Sequence, residues 1–425
     1  MERVSIEAIA RADAGGTHRS RVLGIVFVLT GVLIVVAFAI GTRAGADSRL
    51  GLNPARKETF FTLPDLVLPT AGTTYVLAAT CMFLGGVQLS RGFHRRANLV
   101  FGIVALIFVF AFLIWAARDR SLSLLGMLQS TLLRSVPITF GALAGVLCER
   151  AGVINIAIEG MLLSAAFVSA LVASVVHNSW IGILVAAITG GAVALILAVL
   201  SIRYRVDQIV GGTVINIFAL GMTSYLSIQF LQNNEALNNP NRFLNVPIPG
   251  LSQIPILGPV LFDNNIFVYL MMLVVAATYV GLFRTRWGLR VRAVGEHPAA
   301  ADTVGIPVLL TRYRNVVLGG IVAGIGGAYF TLGAVGRFEP GMTAGRGFIG
   351  LAAMIFGGWN PIGALGAALV FGFADSLQVK LNLLQVGIPQ EFLGMAPYLV
   401  TIAIVAGAGR RVRPPAADGK PYVKE

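Results

Sequence analysis

The chain has 425 residues, of which 56% are hydrophobic and only 12% are charged. Its mean hydropathy of +0.81 is unlike that of soluble proteins, which cover their surfaces with charged side chains. A soluble globular class is thereby excluded. The excess of 32 basic over 19 acidic residues, a net charge of +13, would suggest nucleic-acid binding in a soluble protein. Membrane proteins instead keep Lys and Arg on their cytoplasmic side, so we expect no nucleic-acid partner.

Apolar stretches long enough to cross a bilayer, which takes about 20 residues of helix, recur along the chain. They predict spans at residues 22–40, 68–89, 98–116, 124–147, 151–175, 180–201, 207–230, 265–283, 315–335, 361–379 and 392–408. A shorter stretch, 347–358, precedes a break at Asn360 and Pro361 and predicts a half-helix or a tilted span. The predicted fold class is all-α integral membrane, a polytopic bundle with about 10–12 spans.

The positions of the arginines predict how the chain is oriented in the membrane. The polar amino terminus is too long for a cleavable signal, so 22–40 is predicted to be a retained first span. The loop 231–264, rich in Asn and Pro, is predicted to be extracytoplasmic. Both termini and the following basic segments are predicted to be cytoplasmic, as the positive-inside rule requires: Arg19 and Arg21, 91–96, 202–205, 284–314 and 409–413.

Small residues and cysteines indicate packing. Glycines four residues apart, or adjacent, let helices approach closely in lipid, although they could also line a pore. These glycines are Gly141, Gly145, Gly320, Gly324, Gly326 and Gly327. Cys81 and Cys148 have neither CxxC spacing nor a cluster of His partners, and we interpret both as inert packing residues.

One apolar stretch, 133–167, carries polar groups that a lipid-facing helix could not accept cheaply. Asn155 and Glu159 are four residues apart, which on a helix places them on one face. Because intramembrane ionisable groups usually serve function, this face is predicted to line the translocation route or to hold a broken helix near it. The alternative is that Glu159 only makes a hydrogen bond to a neighbouring helix.

Three motifs within residues 124–410 carry a family resemblance: GVINIAIEGM at 152–161, VGEHPAAADTVGI at 294–306 and GMTAGRGFI at 341–349. They resemble the permease subunits of bacterial ABC importers for simple sugars and nucleosides, a branched-chain-type family linked to BMP lipoproteins. The combination is closer to the nucleoside branch than to ribose or galactose permeases. The resemblance implies ATP-driven import of nucleosides or related simple sugars.

The long basic segment 284–314 contains the second motif. Pro298 suits the first turn of a short helix, which Gly305 would end. In the family that this segment resembles, such a helix docks into a groove of the ATPase and passes nucleotide-driven movement to the spans. The predicted coupling residues are Gly295, Glu296, His297, Pro298, Ala299, Ala300, Asp302 and Gly305. The alternative is an ordinary positive-inside loop whose arginines meet lipid headgroups.

The third motif lies where an interrupted helix is predicted. Interrupted helices expose backbone groups to polar solutes, and Phe348 or Trp359 could stack on a base. Alternatively, Trp359 is an interfacial anchor and Asp375 simply pairs with another helix. The predicted solute pathway comprises Asn155, Glu159, Phe348, Trp359, Asn360 and Asp375.

The resemblance also implies a domain organisation and a set of partners. Residues 1–123 would be an amino-terminal extension with three spans, 124–410 the permease core and 411–425 a cytoplasmic tail. No GxxxxGK[ST] phosphate loop occurs, so ATP and Mg are expected in a separate ABC ATPase. We expect no catalytic residue, metal or cofactor in this chain. The other expected partners are a second similar permease or another copy of this one, an extracytoplasmic substrate-binding lipoprotein, membrane lipid and the small-molecule solute.

Two other classes of protein remain open. An ion-coupled secondary transporter would need matching discontinuous segments, of which the sequence gives no convincing repeat, although Asn155, Glu159 and Asp375 could act as ion ligands. An integral-membrane enzyme would need clustered His, Cys or carboxylates, whereas the four histidines are scattered at 18, 94, 177 and 297.

Overall fold

The computed structural model describes residues 19–43, 45–54, 60, 62–384, 392, 395 and 413–424. Within these residues, ten helices are long and apolar enough to cross a membrane. They correspond to ten of the eleven predicted spans, so the all-α class is confirmed. The predicted span 392–408 lies outside the described residues apart from 392 and 395.

The helix bounds follow the apolar stretches closely, with two larger differences. The span predicted at 151–175 begins only at Ile158, because residues 150–157 form a turn and an extended segment. The span predicted at 315–335 begins earlier, at Val308, because Arg312 and Asn315 are buried inside the protein. The helices are α1 (Arg19–Ala39), α2 (Thr70–Ser90), α3 (Ala97–Ala116), α4 (Leu124–Glu149), α5 (Ile158–Val176), α6 (Ser179–Ala198), α7 (Gln208–Leu226), α8 (Leu257–Leu261), α9 (Ile266–Arg284), α10 (Arg286–Glu296), α11 (Pro298–Thr303), α12 (Val308–Ala328), α13 (Arg346–Phe356) and α14 (Pro361–Leu384).

The chain forms two compact units. Unit 1 comprises Met1–Gly126 and Val379–Leu393, and unit 2 comprises Met127–Gln378 and Gly394–Glu425. In unit 1, the aromatic ring of Phe38 packs against Phe108, Phe112 and Trp115 at centroid distances of 5.4–5.7 Å. The buried Cys81 belongs to the same apolar core and is free.

Unit 1 also contains a small three-stranded sheet, whose first two strands lie between α1 and α2 in the chain and whose third follows α3. Its strands are β1 (Asp47–Gly51), β2 (Leu66–Pro69) and β3 (Ser121–Ser123), with β1 in the centre. β1 pairs antiparallel with β2 and parallel with β3. The buried Ser48 hydroxyl group shares a hydrogen bond of 2.7 Å with the Thr70 hydroxyl group and donates one of 2.7 Å to the Ile114 carbonyl group. The sheet is therefore tied to α2 and α3.

In unit 2, the helices α4, α5 and α12 are the most enclosed. In the most apolar 18-residue stretch of α4, 89% of the residues are buried inside the protein. The corresponding share is 72% for α12 and 33% for α6, α7 and α9. The outer helices expose large apolar side chains such as Leu184, Ile217 and Leu273, as helices in contact with lipid do. The loop 231–264 carries α8 and a two-stranded antiparallel sheet, β4 (Val246–Pro247) and β5 (Asp263–Asn264).

The glycine pattern marks the closest helix crossing of unit 2. A Cβ atom on Gly190 of α6 would overlap the carbonyl oxygen of Gly320 in α12, and one on Gly324 would overlap the carbonyl oxygen of Ala186. A Cβ atom on Gly327 would likewise overlap the Leu162 carbonyl oxygen in α5. The predicted packing role is confirmed for Gly320, Gly324 and Gly327, because only residues without a side chain allow the backbones to touch here, and Gly190 adds a contact that was not predicted.

Candidate functional site

The carboxylate of Glu159 holds the beginning of the half-helix α13. The Thr343 hydroxyl group and the Gly345 N–H group donate to Oε1 at 2.6 and 2.8 Å, and the Gly347 N–H group donates to Oε2 at 2.6 Å. An anion is favoured at a helix amino terminus, where the first N–H groups have no partner within the helix. Glu159 is therefore hydrogen bonded to the amino terminus of a short helix, a contact that fits both the predicted hold on a broken helix and the alternative of a hydrogen bond to a neighbouring helix.

α13 is too short to be a span. Its 11 residues rise only about 16 Å, roughly half of the hydrocarbon core. Gly357 and Gly358 end it, and α14 begins at Pro361. A Cβ atom on Gly357 would overlap the Ala364 backbone nitrogen, so the chain turns back tightly. The predicted half-helix is confirmed.

Asn155 does not share a helix face with Glu159, which corrects the prediction. Gly152, at φ +84°, closes a turn after α4, and the chain then runs extended to α5. The fully buried Asn155 side chain donates to Cys148 Sγ at 3.3 Å, and its Oδ1 atom has no hydrogen-bond partner among the described residues.

Two side chains of α7 stabilise this extended segment. Asn216 accepts from the Gly160 N–H group and donates to the Ile156 carbonyl group, both at 2.8 Å. Gln208 accepts from the Ile154 N–H group at 2.7 Å. Sequence reasoning missed both, and their only signal was the presence of two amides in an apolar span.

Asp375 pairs with arginines from two other helices. Its Oδ2 atom lies 2.7 Å from Arg134 Nη1 and 3.3 Å from Arg346 Nη2. All three side chains are between 24% and 29% exposed, so the group is only partly enclosed by the chain. The Arg346 guanidinium also lies 5.8 Å from the centre of the Phe330 ring. Two guanidinium groups against one carboxylate leave this polar group with a net positive charge.

Trp359 is packed inside the protein. Its side chain is 5% exposed, and the indole N–H group donates to Glu149 Oε2 at 2.6 Å. Its carbonyl oxygen accepts from Arg150 Nε at 2.9 Å, which helps to hold the residue at φ +51°. The ring is therefore neither exposed as an interfacial anchor nor open for stacking on a base.

The other two predicted pathway residues are Asn360, which caps a helix, and Phe348, which is exposed. Asn360 caps α14, because its Oδ1 atom accepts from the Ile362 N–H group at 2.9 Å. Phe348 is 48% exposed on α13, two residues after Arg346. Of the predicted aromatic residues, Phe348 is the one whose ring is accessible.

The predicted coupling segment contains the short helix expected from Pro298. α11 begins with Pro298 and ends at Thr303, shortly before Gly305 at φ +82°. Its inner side packs Ala301 against Val294 and Val308. Ala299 and Ala300 are exposed on its outer side, Glu296 and His297 are exposed just before it, and Val304, just after it, is 75% exposed. Gly295 is buried, where a Cβ atom would overlap the Arg150 carbonyl oxygen.

The carboxyl-terminal residues 413–424, which we call the tail strap, lie along this segment. The Ala417 N–H group donates to the Gly295 carbonyl group at 2.9 Å, and the Ala416 N–H group donates to Glu296 Oε2 at 3.2 Å. The Tyr422 hydroxyl group donates to Asp302 Oδ2 at 3.0 Å. Sequence reasoning assigned these residues only to a cytoplasmic tail.

Buried charged groups join the tail strap to the helices beneath it. Arg312, only 2% exposed, donates through Nη1 to the Lys420 carbonyl group at 2.8 Å. The Asp418 carboxyl group is hydrogen bonded to that of Glu149. Burial raises the pKa of Asp418 to about 6, although the hydrogen bonds from Glu149 and from the Gly419 backbone and the charge of Arg312 oppose the rise.

Comparison with known proteins identifies the family. Residues 127–405 match the family described as "Branched-chain amino acid transport system / permease component". The chain is 40% identical over 309 residues to the guanosine ABC transporter permease protein NupQ of Bacillus subtilis, covering 70% of this chain and 96% of that protein. It is 40% identical over 314 residues to the nucleoside ABC transporter permease protein NupC of Lactococcus lactis, with the same coverage.

A more distant relative is the putative glucose ABC transporter permease protein TsgC13 of Haloferax volcanii, which is 32% identical over 303 residues, covering 67% of this chain and 91% of that protein. No solved structure matches the chain. The family match begins at residue 127, so it leaves out α1–α3 and the three-stranded sheet. Because its residues 127–405 match, this multi-pass membrane protein belongs to the family of branched-chain amino acid transport system permease components.

Proposed function

We propose that the chain is the membrane-spanning permease subunit of an ATP-driven ABC importer that carries nucleosides into the cell. The observation that supports this most strongly is the 40% identity to a guanosine and a nucleoside permease over 96% of the length of each. The relative named for glucose is less similar, at 32%. Related simple sugars are therefore the second choice of solute.

The ATPase would dock on the outer side of α11. This side combines small exposed residues, Ala299 and Ala300, with the exposed apolar Val304 and the carboxylate of Glu296. A short helix with small side chains can enter a groove on a partner with little steric hindrance, and its buried inner side passes movement to α10 and α12 through Val294 and Val308. ATP and Mg would be bound by the ATPase, not by this chain.

The solute route would pass the end of α13 where Arg346 and Phe348 lie. The Phe348 ring can stack on a nucleobase, and the partly exposed Arg134–Asp375–Arg346 group can form hydrogen bonds with hydroxyl or base oxygen atoms. Glu159 and Asn360 would act indirectly, by fixing the ends of α13 and α14. The tail and the amino terminus would lie in the cytoplasm, where the basic segments favour them.

The complete transporter would contain two ABC ATPase domains, a second permease of the same family or another copy of this chain, and an extracytoplasmic substrate-binding lipoprotein. An uptake assay tests the proposal. The complete transporter, expressed in a host without nucleoside uptake, should take up radiolabelled guanosine or another nucleoside, and unlabelled glucose should not compete. Uptake that requires no ATPase, or that glucose alone inhibits, would contradict it.

The coupling surface needs a separate variant. Ala300→Trp would fill the exposed outer side of α11 without touching its buried side. We expect uptake to fall at least about tenfold while the protein remains inserted and folded, since a bulky ring would obstruct a groove built for Ala. Leu289→Trp, on the exposed side of α10, is the matched control. Equal uptake by the Ala300→Trp variant and the unmodified protein would reject this docking surface.

A further inference from the structure

Unit 1 contains an open cavity of about 700 Å³ at the ends of its three helices. It lies where α1 begins, α2 ends and α3 begins. Four arginines line it, and its other polar lining groups are neutral amides and hydroxyls or His94. The lining consists of Arg19, Ser20, Arg21, Leu23, Gln88, Leu89, Ser90, Arg91, Gly92, His94, Arg95, Ala97 and Asn98.

The arginines have no acidic counterpart in this cavity, since its described lining contains neither Asp nor Glu. Arg21, Arg91 and Arg95 are exposed. A concentration of positive charge in a concave site attracts an anion, and guanidinium groups match the oxygen geometry of a phosphate through paired hydrogen bonds. The cavity is therefore suited to a phosphate-bearing ligand.

The frame of the cavity is held by side-chain hydrogen bonds between the helix ends. Gln88, which is 2% exposed, donates to Ser20 Oγ at 2.9 Å and accepts from the Phe93 N–H group at 2.9 Å. Arg19 Nη2 donates to Asn98 Oδ1 at 2.9 Å. One buried amide thus ties α1 to the turn between α2 and α3, which brings the backbone positions of the four arginines to the same end of the helices.

The surroundings of the cavity are apolar and exposed. Within about two turns of its rim, α1 exposes Val22 and Ile25, α2 exposes Leu89, and α3 exposes Leu99 and Ile103. These helices are long and apolar enough to cross the bilayer, so their basic ends lie at the level of the lipid headgroups. A ligand with a phosphate at one end and acyl chains at the other fits both surfaces.

We propose that this cavity binds the phosphate-bearing headgroup of an anionic membrane lipid, whose acyl chains lie along the apolar surfaces of α1–α3. All residues of the site precede the part of the chain that matches the permease family. The anionic lipid would thus be bound by the amino-terminal helices α1–α3.

Native mass spectrometry of the purified full-length protein tests this site. The protein is titrated with phosphatidylglycerol and, separately, with phosphatidylcholine. We expect phosphatidylglycerol to bind at least about tenfold more tightly, and Arg91→Gln combined with Arg95→Gln to remove most of that difference. Both substituted side chains are exposed, so the fold is expected to persist.

The matched control is Arg49→Gln combined with Arg120→Gln, which removes the same charge from exposed positions on the sheet side of unit 1. This control should bind phosphatidylglycerol like the unmodified protein. Equal binding of the two lipids by the unmodified protein, or equal losses in both double variants, would overturn the proposal. Full displacement of the lipid by free glycerol 3-phosphate at the same concentration would also overturn it, because the site would then recognise a soluble phosphate.

Discussion

The Tyr422 hydroxyl group donates a hydrogen bond to Asp302, 120 residues earlier in the chain, so the carboxyl terminus holds the helix that we propose couples to the ATPase. Lys424 adds a longer ion pair to the same carboxylate, at 3.7 Å. The Tyr422 ring packs against the small apolar cluster of Val294, Ala301 and Val308. The tail strap is therefore bonded to α11 through Asp302 and packed against the apolar cluster that joins α11 to α10 and α12.

Tyr422→Phe keeps this packing and removes the hydrogen bond. A hydrogen bond to a charged group stabilises the structure that contains it by about 1.5–3 kcal/mol. We therefore expect amide hydrogen exchange in the tail strap of this variant to become at least roughly tenfold faster, while the free energy of global unfolding changes little. If the coupling proposal is right, uptake per ATP hydrolysed should also fall. Lys424→Ala is the control, because its side chain is 68% exposed and such ion pairs contribute little. Unchanged exchange in Tyr422→Phe would contradict the strap role.

The docking of the tail strap should depend on pH through Asp418. Its pKa is raised by burial to about 6, so the folded state binds this proton more tightly than an undocked tail, in which the pKa is near 3.8. This contribution to docking is fully present below about pH 3.8 and is lost as the pH rises through about 6. Between pH 5 and pH 8, exchange in the tail strap, corrected for its intrinsic pH dependence, should therefore increase.

Asp418→Asn is the variant that tests this assignment. The amide stays neutral beside Glu149 and Arg312, so the part of the pH dependence that Asp418 contributes should disappear, and the tail strap should be docked more firmly at pH 8 than in the unmodified protein. Hydrogen exchange followed by mass spectrometry measures both. The same pH dependence in this variant as in the unmodified protein would assign the effect to another group.

The spans were predictable because hydropathy is a local property that any stretch of about 20 residues displays. The half-helix α13 was predictable for the same reason, since its stretch is visibly too short. The position of Asn155 was not, because its helical spacing from Glu159 is overridden by the turn at Gly152 and by the amides of Gln208 and Asn216. Hydrogen bonds between residues far apart in the chain produce no periodic pattern in the sequence from which they could be predicted.

The same limit applies to the partners of the predicted site residues. Asp375 was a candidate by its position in a span, but its partner Arg134 lies 241 residues earlier. The indole of Trp359 binds a carboxylate 210 residues away, and this contact decides that the ring is buried. The coupling role, the solute pathway and the division at residues 123 and 410 remain predictions.

Glu159→Gln should weaken the beginning of α13. The amide retains one acceptor oxygen, whereas the carboxylate accepts three hydrogen bonds through two oxygens and carries a charge that a helix amino terminus favours. We expect a loss of about 2 kcal/mol of stability in detergent, together with lower uptake. Thr343→Val, which removes only one of the three donors, should lose less. A melting temperature equal to that of the unmodified protein would show that Glu159 does not hold α13.

Asp375→Asn should leave Arg134 and Arg346 facing each other without a negative charge. Because these groups are about a quarter exposed and not fully buried, we expect a loss of about 1–3 kcal/mol, less than for a fully buried group. Adding Arg134→Gln should recover part of that loss, since it removes one of the two unbalanced charges. A thermal unfolding cycle of both single variants and the double variant measures this coupling. Strictly additive losses would indicate that the three residues do not act as one group.

Two glycine substitutions should differ in their effect on stability, since only one of them introduces a steric overlap. Gly320→Val introduces a branched side chain where α12 touches the backbone of α6 at Gly190, and neither backbone can move without separating the two helices. We expect a loss of roughly 2–3 kcal/mol or more. Gly221→Ala, in α7, meets nothing within 4 Å, so the better helix propensity of Ala should leave stability unchanged or raise it by up to about 1 kcal/mol. Thermal unfolding in detergent distinguishes the two, and similar losses in both variants would indicate that close helix approach is not what Gly320 provides.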